Sequence, residues 1–209
     1  YSPLQLVVVL TGVVLLVVDW RYHWADRRGL LRGLAILTLL AAPYVRFRLQ
    51  YPEALSQHLT QLRSYWVSSQ PLGVKIGEFL RRYVHGFDPA YWFLPNSSDL
   101  IRHQMKGMGH MRLISLPFVL LGLIAALRRL KDPAWRVVLI ALLVAPTGAA
   151  LVDVAITRLL VMLLPLCYLA LLGMEQLIAW LAQKHTQLAA RWVGVGLALL
   201  WAVLSISMT

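Results

Sequence analysis

The sequence predicts an all-α, polytopic bundle of transmembrane helices. Of its 209 residues, 59% are apolar and only 14% are charged, whereas soluble domains are about 45–50% apolar and about 25% charged. The mean hydropathy is +0.67. A soluble globule of this length cannot bury so large an apolar share, and runs near the roughly 20 residues that cross a bilayer recur along the chain.

Six apolar runs are predicted to span the membrane: Leu4–Trp20, Gly29–Val45, Met111–Leu127, Trp135–Val152, Arg158–Leu181 and Arg191–Met208. The second run is short, and Arg32 in its first turn must extend its charged end towards water. The third carries Pro117, which indicates a kink or a late helix start. Residues 1–45 therefore form two spans, 46–110 a long loop and 111–209 four spans. We expect this chain to be a fragment of a longer protein.

Positive charge orients these spans. The loops between spans one and two, three and four, and five and six are short, yet they hold 10 of the 20 basic residues: Arg21, Arg27, Arg28, Arg32, Arg128, Arg129, Lys131, Arg136, Lys184 and Arg191. Short loops rich in Lys and Arg stay in the cytoplasm. The loop Arg46–His110 is therefore predicted to be extracytoplasmic. A charge split across two membrane faces also argues against nucleic acid as a partner.

The long loop is predicted to contain two amphipathic helices. Apolar residues repeat at helical spacing in two segments, at Leu55, Leu59, Leu62 and Trp66 and again at Ile76, Phe79, Leu80 and Tyr83. Charged residues of the second segment fall off its apolar face. We expect both helices to lie in the membrane interface, with Leu59, Leu62, Phe79 and Leu80 buried.

One group of polar residues that could bind an anion follows the aromatic part of the loop. Asp99, Arg102 and His103 lie just before the third span. A guanidinium can donate two parallel hydrogen bonds to phosphate oxygens, and Asp99 could orient Arg102 or His103. The alternative is that Asp99 caps a helix and the other two residues are merely solvated.

A second group lies between spans four and five, where Asp153 precedes Arg158. Ionisable residues near membrane depth are costly and are usually paired or functional. A pair of interfacial residues without a function is the alternative.

The run from His103 to Met111 contains thioethers and imidazoles that could hold Cu(I), but its spacing is loose. We therefore assign no metal or other cofactor to the chain, and the sequence does not indicate a divalent metal.

Several short segments follow one another in an order that is similar to that of a known family. They are Phe47–Glu53, Pro71–Gly73, Phe87–Phe93, Asp99–His103, Leu116-Pro117, Ala145-Pro146 and Arg158 before Leu164-Pro165. Together they resemble the C-terminal half of the GT-C membrane glycosyltransferases, near the family 39 group that includes protein mannosyltransferases and aminoarabinose transferases. The resemblance covers roughly residues 40–178.

The resemblance implies transfer of a sugar from a polyprenyl-phosphate lipid to an acceptor on the outer face of a bacterial cell membrane. It places the catalytic Asp or Glu N-terminal to Tyr1. The donor phosphate would bind Arg102 and His103, then Arg158 and Arg112, supported by Asp99 and Asp153. The chain departs from the family pattern in two places: Ser98 replaces a Gly, and no His lies between Asp153 and Arg158.

Two other classes of function stay open. The chain could be a non-catalytic membrane scaffold or subunit that docks a partner on its outer helices. A transporter is the third class, but the spans have few ionisable residues at mid-depth and no repeated broken helices.

Cysteine labelling tests the predicted topology. In a Cys167→Ser background, an impermeant thiol reagent added outside cells should label Ser97→Cys, which lies on the long loop. Asp132→Cys, on a short basic loop, should react only after the membrane is permeabilised. Labelling of Asp132→Cys alone in intact cells would reverse the orientation.

Overall fold

The computed structural model describes residues 3–184 and 194–196, and every regular element in these ranges is helical. The α-helices are α1 Pro3–Val18, α2 Trp20–Ala25, α3 Arg27–Gln50, α4 Ala54–Gln61, α5 Leu72–His85, α6 Pro89–Phe93, α7 Leu116–Arg128, α8 Pro133–Val144, α9 Pro146–Ala150, α10 Ile156–Leu159 and α11 Leu163–Lys184. Short 3-10 turns cover Tyr65–Val67, Ile101–His103, Leu113–Ser115 and Leu160–Met162. The predicted all-α class is confirmed for these residues.

Three helical stretches have the length and apolar composition needed to cross a bilayer: Arg27–Gln50, Pro133–Ala150 and Ile156–Gln183. This is compatible with a membrane location. The apolar helices Pro3–Val18 and Leu113–Arg128 are shorter, and the predicted span Arg191–Met208 lies outside the described residues except for 194–196. The count of six spans therefore stays a prediction.

The chain divides into two compact units. Unit 1 contains the described residues up to Phe87 together with Leu143–Val161. Unit 2 contains Asp88–Leu142 and the described residues from Met162 onwards. These two units are groups of residues that pack together. The predicted division into 1–45, 46–110 and 111–209 instead separates membrane spans from a loop, so the units do not test it.

Helix α3 in unit 1 extends beyond its predicted end. It continues from Val45 through Gln50 because Arg, Leu and Gln favour helix. The side chain of Asp26 caps its first turn by accepting a hydrogen bond of 3.0 Å from the amide of Gly29. No residue of α3 is buried in the protein, which leaves its aliphatic side chains on the outside.

The two segments of the predicted amphipathic helices do form helices, α4 and α5, in unit 1. Leu59 is buried, and Leu62 and Phe79 are half-buried. The expected burial of Leu80 is wrong, because 53% of this residue is exposed. The side of α5 that faces the protein carries Glu78 and Arg82 instead, and the helix is rotated accordingly.

Helix α5 packs against α9. The hydroxyl of Tyr83 donates to the carbonyl oxygen of Leu143 at 2.7 Å. Gly86 lies so close to Pro146 that a Cβ atom at this position would overlap its ring. Burial raises the pKa of the Tyr83 hydroxyl, so this group stays a hydrogen-bond donor at neutral pH.

Unit 2 is built on the contact between α7 and α11. Gly122 on α7 faces the backbone carbonyl of Leu169, and Gly173 on α11 faces the backbone carbonyl of Phe118. A Cβ atom at either glycine would collide with that carbonyl. Close approach of two helix backbones through small residues is typical of membrane helix pairs, where dispersion contacts supply the attraction.

Substituting Gly122 tests this helix contact. Gly122→Ala should lower the free energy of unfolding in detergent by about 1–3 kcal/mol, because the added methyl group must push α7 and α11 apart. Gly12→Ala in α1 is the matched control, since nothing lies within 4 Å of a Cβ atom there. A Gly122→Ala variant as stable as Gly12→Ala in thermal unfolding would contradict the packing.

Candidate functional site

A closed loop in unit 2 carries the first group of predicted site residues. The loop follows α6. The Asp88 carboxylate caps the first turn of this helix by accepting a hydrogen bond from the amide of Ala90 at 2.9 Å. It closes where the amide of Met111 donates to the carbonyl oxygen of Trp92 at 2.7 Å. Gly109 packs on the backbone of Trp92 and Phe93 with no room for a Cβ atom. The loop between Trp92 and Met111 therefore has a fixed base.

The buried carboxylate of Asp99 holds the two sides of this loop together. The side chain of Asp99 has no exposed surface. It accepts a hydrogen bond from the hydroxyl of Tyr91 at 3.0 Å, and its Oδ2 lies 2.8 Å from Nε2 of His110. The ring of His110 contacts the rings of both Tyr91 and Trp92, with centroid distances of 5.1 and 6.2 Å. A buried carboxylate needs such donors because it has lost its water.

Asp99 does not cap a helix. The following 3-10 turn, Ile101–His103, has Leu100 at its N-cap position and no side-chain cap. The backbone carbonyl of Asp99 accepts a hydrogen bond from the side-chain amide of Gln104. The carboxylate binds Tyr91 and His110, so it acts on Arg102 and His103 only through the loop that it holds.

Arg102 and His103 lie side by side on the outer part of the loop. Nε of Arg102 donates to Nε2 of His103 at 3.3 Å. Arg102 is exposed and His103 is half-buried. Within the described ranges, neither side chain has a carboxylate at ion-pair distance. Arg102 therefore presents a positive charge that no acid of this loop neutralises.

Arg112 follows the closed loop and is half-buried. Its carbonyl oxygen accepts a hydrogen bond from the Ser115 hydroxyl at 2.6 Å, and it precedes the 3-10 turn Leu113–Ser115 that leads into α7. Pro117 lies in the first turn of α7. Of the two alternatives for this proline, a late helix start is the one observed.

The second predicted group lies in unit 1, and its pairing differs from the expected one. The guanidinium of Arg158 donates to the backbone carbonyl of Asp153 at 3.2 Å rather than to its carboxylate. The Asp153 carboxylate accepts from the amide of Val154 at 2.9 Å and lies 3.6 Å from the guanidinium of Arg82. The expected Asp153–Arg158 ion pair is therefore replaced by an Asp153–Arg82 pair.

Arg82 is the centre of a network that connects α5 to the rest of unit 1. Its Nε lies 2.6 Å from Oε1 of Glu78, and its guanidinium carbon lies 4.8 Å from the centroid of the Tyr65 ring. Arg81 donates to both carboxylate oxygens of Glu78, at 2.7 and 2.9 Å. Hydrogen bonds from Arg81 and Arg82 lower the pKa of Glu78 from 4.5 to about 2.

Tyr65 joins this network to the end of α9. Its hydroxyl donates to the carbonyl oxygen of Ala150 at 2.7 Å. The neighbouring Ser64 hydroxyl donates to the carbonyl oxygen of Leu151 at 2.5 Å. Burial raises the pKa of Tyr65, although the charge of Arg82 opposes this shift. These bonds satisfy carbonyl groups that the end of a helix leaves without intrahelical partners.

The predicted site residues thus fall into separate units. Asp99, Arg102, His103 and Arg112 belong to unit 2, and Asp153 and Arg158 belong to unit 1. The expectation that Arg158 shares one anion site with Arg102 stays a prediction.

Sequence reasoning missed the partners that hold these residues: Tyr91, His110, Glu78, Arg82 and Tyr65. Only the spacing of Glu78 and Arg82, four residues apart, offered a signal, because such pairs meet on one helix face. Tyr91 and His110 meet across a loop, which no local spacing predicts.

Comparisons of the chain with protein-family models, with curated proteins and with solved structures find no match. Within the described residues, no three side chains of the His, Cys, Asp or Glu types gather as metal ligands would.

Stability at low pH tests the Glu78 network. A carboxylate whose pKa is depressed in the folded protein stabilises the fold above its unfolded pKa, and this contribution is lost as the pH falls through the folded value. Glu78→Gln should therefore unfold at a lower temperature than the wild type at pH 6, and the difference should shrink between about pH 4.5 and pH 2. Glu53→Gln is the control, since Glu53 is exposed and bonds Ser56 rather than a basic side chain. A pH-independent difference for Glu78→Gln would contradict the assignment.

Proposed function

We propose that the chain is part of a membrane glycosyltransferase that takes a sugar from a polyprenyl-phosphate lipid on the extracytoplasmic face. The observation that carries this proposal is the Arg102–His103 pair. The Arg102 guanidinium and the His103 imidazole are in contact, have no acidic partner in the described residues, and lie on a loop whose interior is held by the buried Asp99. Such a pair is suited to a phosphate anion.

The chemistry of the leaving group explains why a fixed pair is useful. When the sugar leaves a polyprenyl phosphate, negative charge grows on the phosphate oxygens. Donors that are already oriented stabilise this charge without reorganising during the reaction. Arg102 can offer two parallel N–H groups, and His103, whose Nε2 accepts a hydrogen bond from Nε of Arg102, orients that guanidinium. Asp99, Tyr91 and His110 hold the loop that carries both.

The surroundings of Arg102 also suit the lipid half of such a donor. Leu100 and Ile101 precede it and are 60% and 86% exposed, and Met105 follows at 52%. Apolar side chains next to a phosphate-binding arginine match an amphiphile whose phosphate is joined to an isoprenoid chain. A free sugar phosphate or nucleotide would give these three residues nothing to contact.

Arg112, in the same unit as Arg102, is a further phosphate ligand in this proposal. The expected role of Arg158, which donates to the backbone carbonyl of Asp153 in unit 1, stays a prediction. Arg82 is less suited to the role because Glu78 and Asp153 already accept from it or lie near it. We assign no catalytic base among these residues.

The proposed location is a bacterial plasma membrane, with the loop that carries Arg102 outside the cell. Three helices of sufficient length and apolar composition support a membrane location. The orientation depends on the basic short loops.

A docking scaffold is the second candidate function. The same exposed Leu100 and Ile101 favour it, because apolar side chains on an outer loop could bind a protein partner. A scaffold would not require Arg102 to be an arginine for catalysis, so a substitution at Arg102 separates the two candidates.

Substitutions of Arg102 in the full-length protein test the proposal. Arg102→Ala should reduce transfer from a radiolabelled polyprenyl-phosphate sugar by about 10²–10³-fold, as removal of an oriented donor does. Arg102→Lys should restore little of it, because lysine keeps the charge but loses the paired donors. Expression and thermal stability should not change, since an exposed arginine without an acidic partner contributes little to folding.

Arg129→Ala is the matched control, because Arg129 is also exposed but lies on a loop predicted to be cytoplasmic. Binding of a polyprenyl monophosphate to the purified protein should weaken in Arg102→Ala and not in Arg129→Ala. Equal transfer and binding in both variants would exclude the phosphate role and favour the scaffold.

A further inference from the structure

Helix α5 carries an exposed aliphatic stripe along its whole length. The stripe consists of residues four apart, which stack along one side of a helix, and its members are Leu72, Ile76, Leu80 and Val84. Their exposed fractions are between 46% and 65%. Gly73 and Gly77 lie beside the stripe, and nothing lies within 4 Å of a Cβ atom at either position. This side of α5 is therefore uncovered by the described part of the protein.

The side of α5 that faces the protein combines the aromatic residues Phe79 and Tyr83 with the charged residues Glu78 and Arg82. Only 18% of the Arg82 side chain is exposed, and its partners are Glu78, Asp153 and the ring of Tyr65. A helix on the surface of a water-soluble protein has the reverse arrangement, with aliphatic residues inside and charges outside. The contacts of Arg82 with Asp153 and Tyr65 and the hydrogen bond from Tyr83 to Leu143 hold α5 in this rotation, so the aliphatic stripe cannot turn inward without breaking them.

The contacts of α5 with an apolar helix of membrane length indicate whether the stripe faces lipid or water. It packs on the last residues of the membrane-length stretch Pro133–Ala150, through Tyr83 on Leu143 and Gly86 on Pro146. Tyr65 binds the final carbonyl of that stretch, at Ala150. The 14 residues of α5 are about 21 Å long, too short for a hydrocarbon core of about 30 Å. Helix α5 therefore lies where a membrane-length helix ends.

We propose that the Leu72–Val84 stripe of α5 lies in the acyl chains of a membrane leaflet, so that the helix is an interfacial anchor with its ion pairs turned towards the protein. Trp66 precedes α5 and is 38% exposed, and tryptophan is enriched at the level of lipid headgroups. This proposal needs Pro133–Ala150 to lie in a membrane, and it does not depend on sugar transfer.

Spin labels measure the environment of the stripe. Single cysteines at Leu80→Cys and Val84→Cys, in a Cys167→Ser background, are labelled with a nitroxide. The protein is placed in vesicles of phosphatidylcholine and phosphatidylglycerol. Leu39→Cys on α3 is the lipid control, because Leu39 is 74% exposed on a membrane-length helix. Gln70→Cys, an exposed polar position just before α5, is the water control.

Oxygen concentrates in acyl chains, whereas a water-soluble nickel chelate is excluded from them. Labels at Leu80 and Val84 should relax more with oxygen than with the chelate, as the label at Leu39 does. Faster relaxation by the chelate, as at Gln70, would place the stripe in water and overturn the proposal. Poor access for both reagents would show a protein partner or a second copy on the stripe and would overturn it as well.

Thermal unfolding of each labelled variant establishes that it is folded. Because two positions on the stripe are labelled, the test still stands if one of the two variants does not fold. The outcome is separate from the transfer assay. A stripe in water leaves the role of Arg102 untested by this experiment, and normal transfer by Arg102→Ala leaves the lipid contact of Leu80 unaffected.

Discussion

The Trp92–Met111 loop of unit 2 depends on one buried carboxylate. Asp99 has no exposed side-chain surface, and a charge removed from water is costly unless hydrogen-bond donors replace the water. Tyr91 lies before the loop's exposed part and His110 after it, and both reach the same carboxylate oxygen. The need to satisfy Asp99 thus brings the two sides of the loop together. The arrangement of Arg102 and His103 follows from that constraint.

Unit 1 uses charge differently. Glu78, Arg81, Arg82 and Asp153 are only partly withdrawn from water, and each acid has an arginine close to it. Surface ion pairs of this kind are individually weak, but Arg82 also lies over Tyr65, whose hydroxyl binds the end of α9. The network therefore determines which side of α5 faces the protein, and it leaves the aliphatic side exposed.

The apolar helices of unit 2 show a third kind of constraint. Lipid chains are as apolar as leucine, so hydrophobic residues alone do not bring two membrane helices together. Gly122 and Gly173 let α7 and α11 approach until backbone meets backbone. Many weak dispersion contacts then add to the attraction between the two helices. An apolar composition makes such helices, and the position of two glycines decides which sides of them meet.

The amino-acid sequence by itself determined the helical class, the apolar stretches and the helical character of α4 and α5, because these depend on composition and on local periodicity. It also indicated Asp99, Arg102, His103 and the Asp153–Arg158 region as unusual polar positions near apolar segments. The tertiary structure alone decided that Asp99 binds His110 rather than capping a helix, and that Asp153 faces Arg82 rather than Arg158. It also decided that Leu80 faces outward. Each of these depends on contacts between residues distant in the chain or on the rotation of a whole helix. Periodicity shows that two sides of a helix differ, whereas only the competing contacts of those sides determine which one faces the protein.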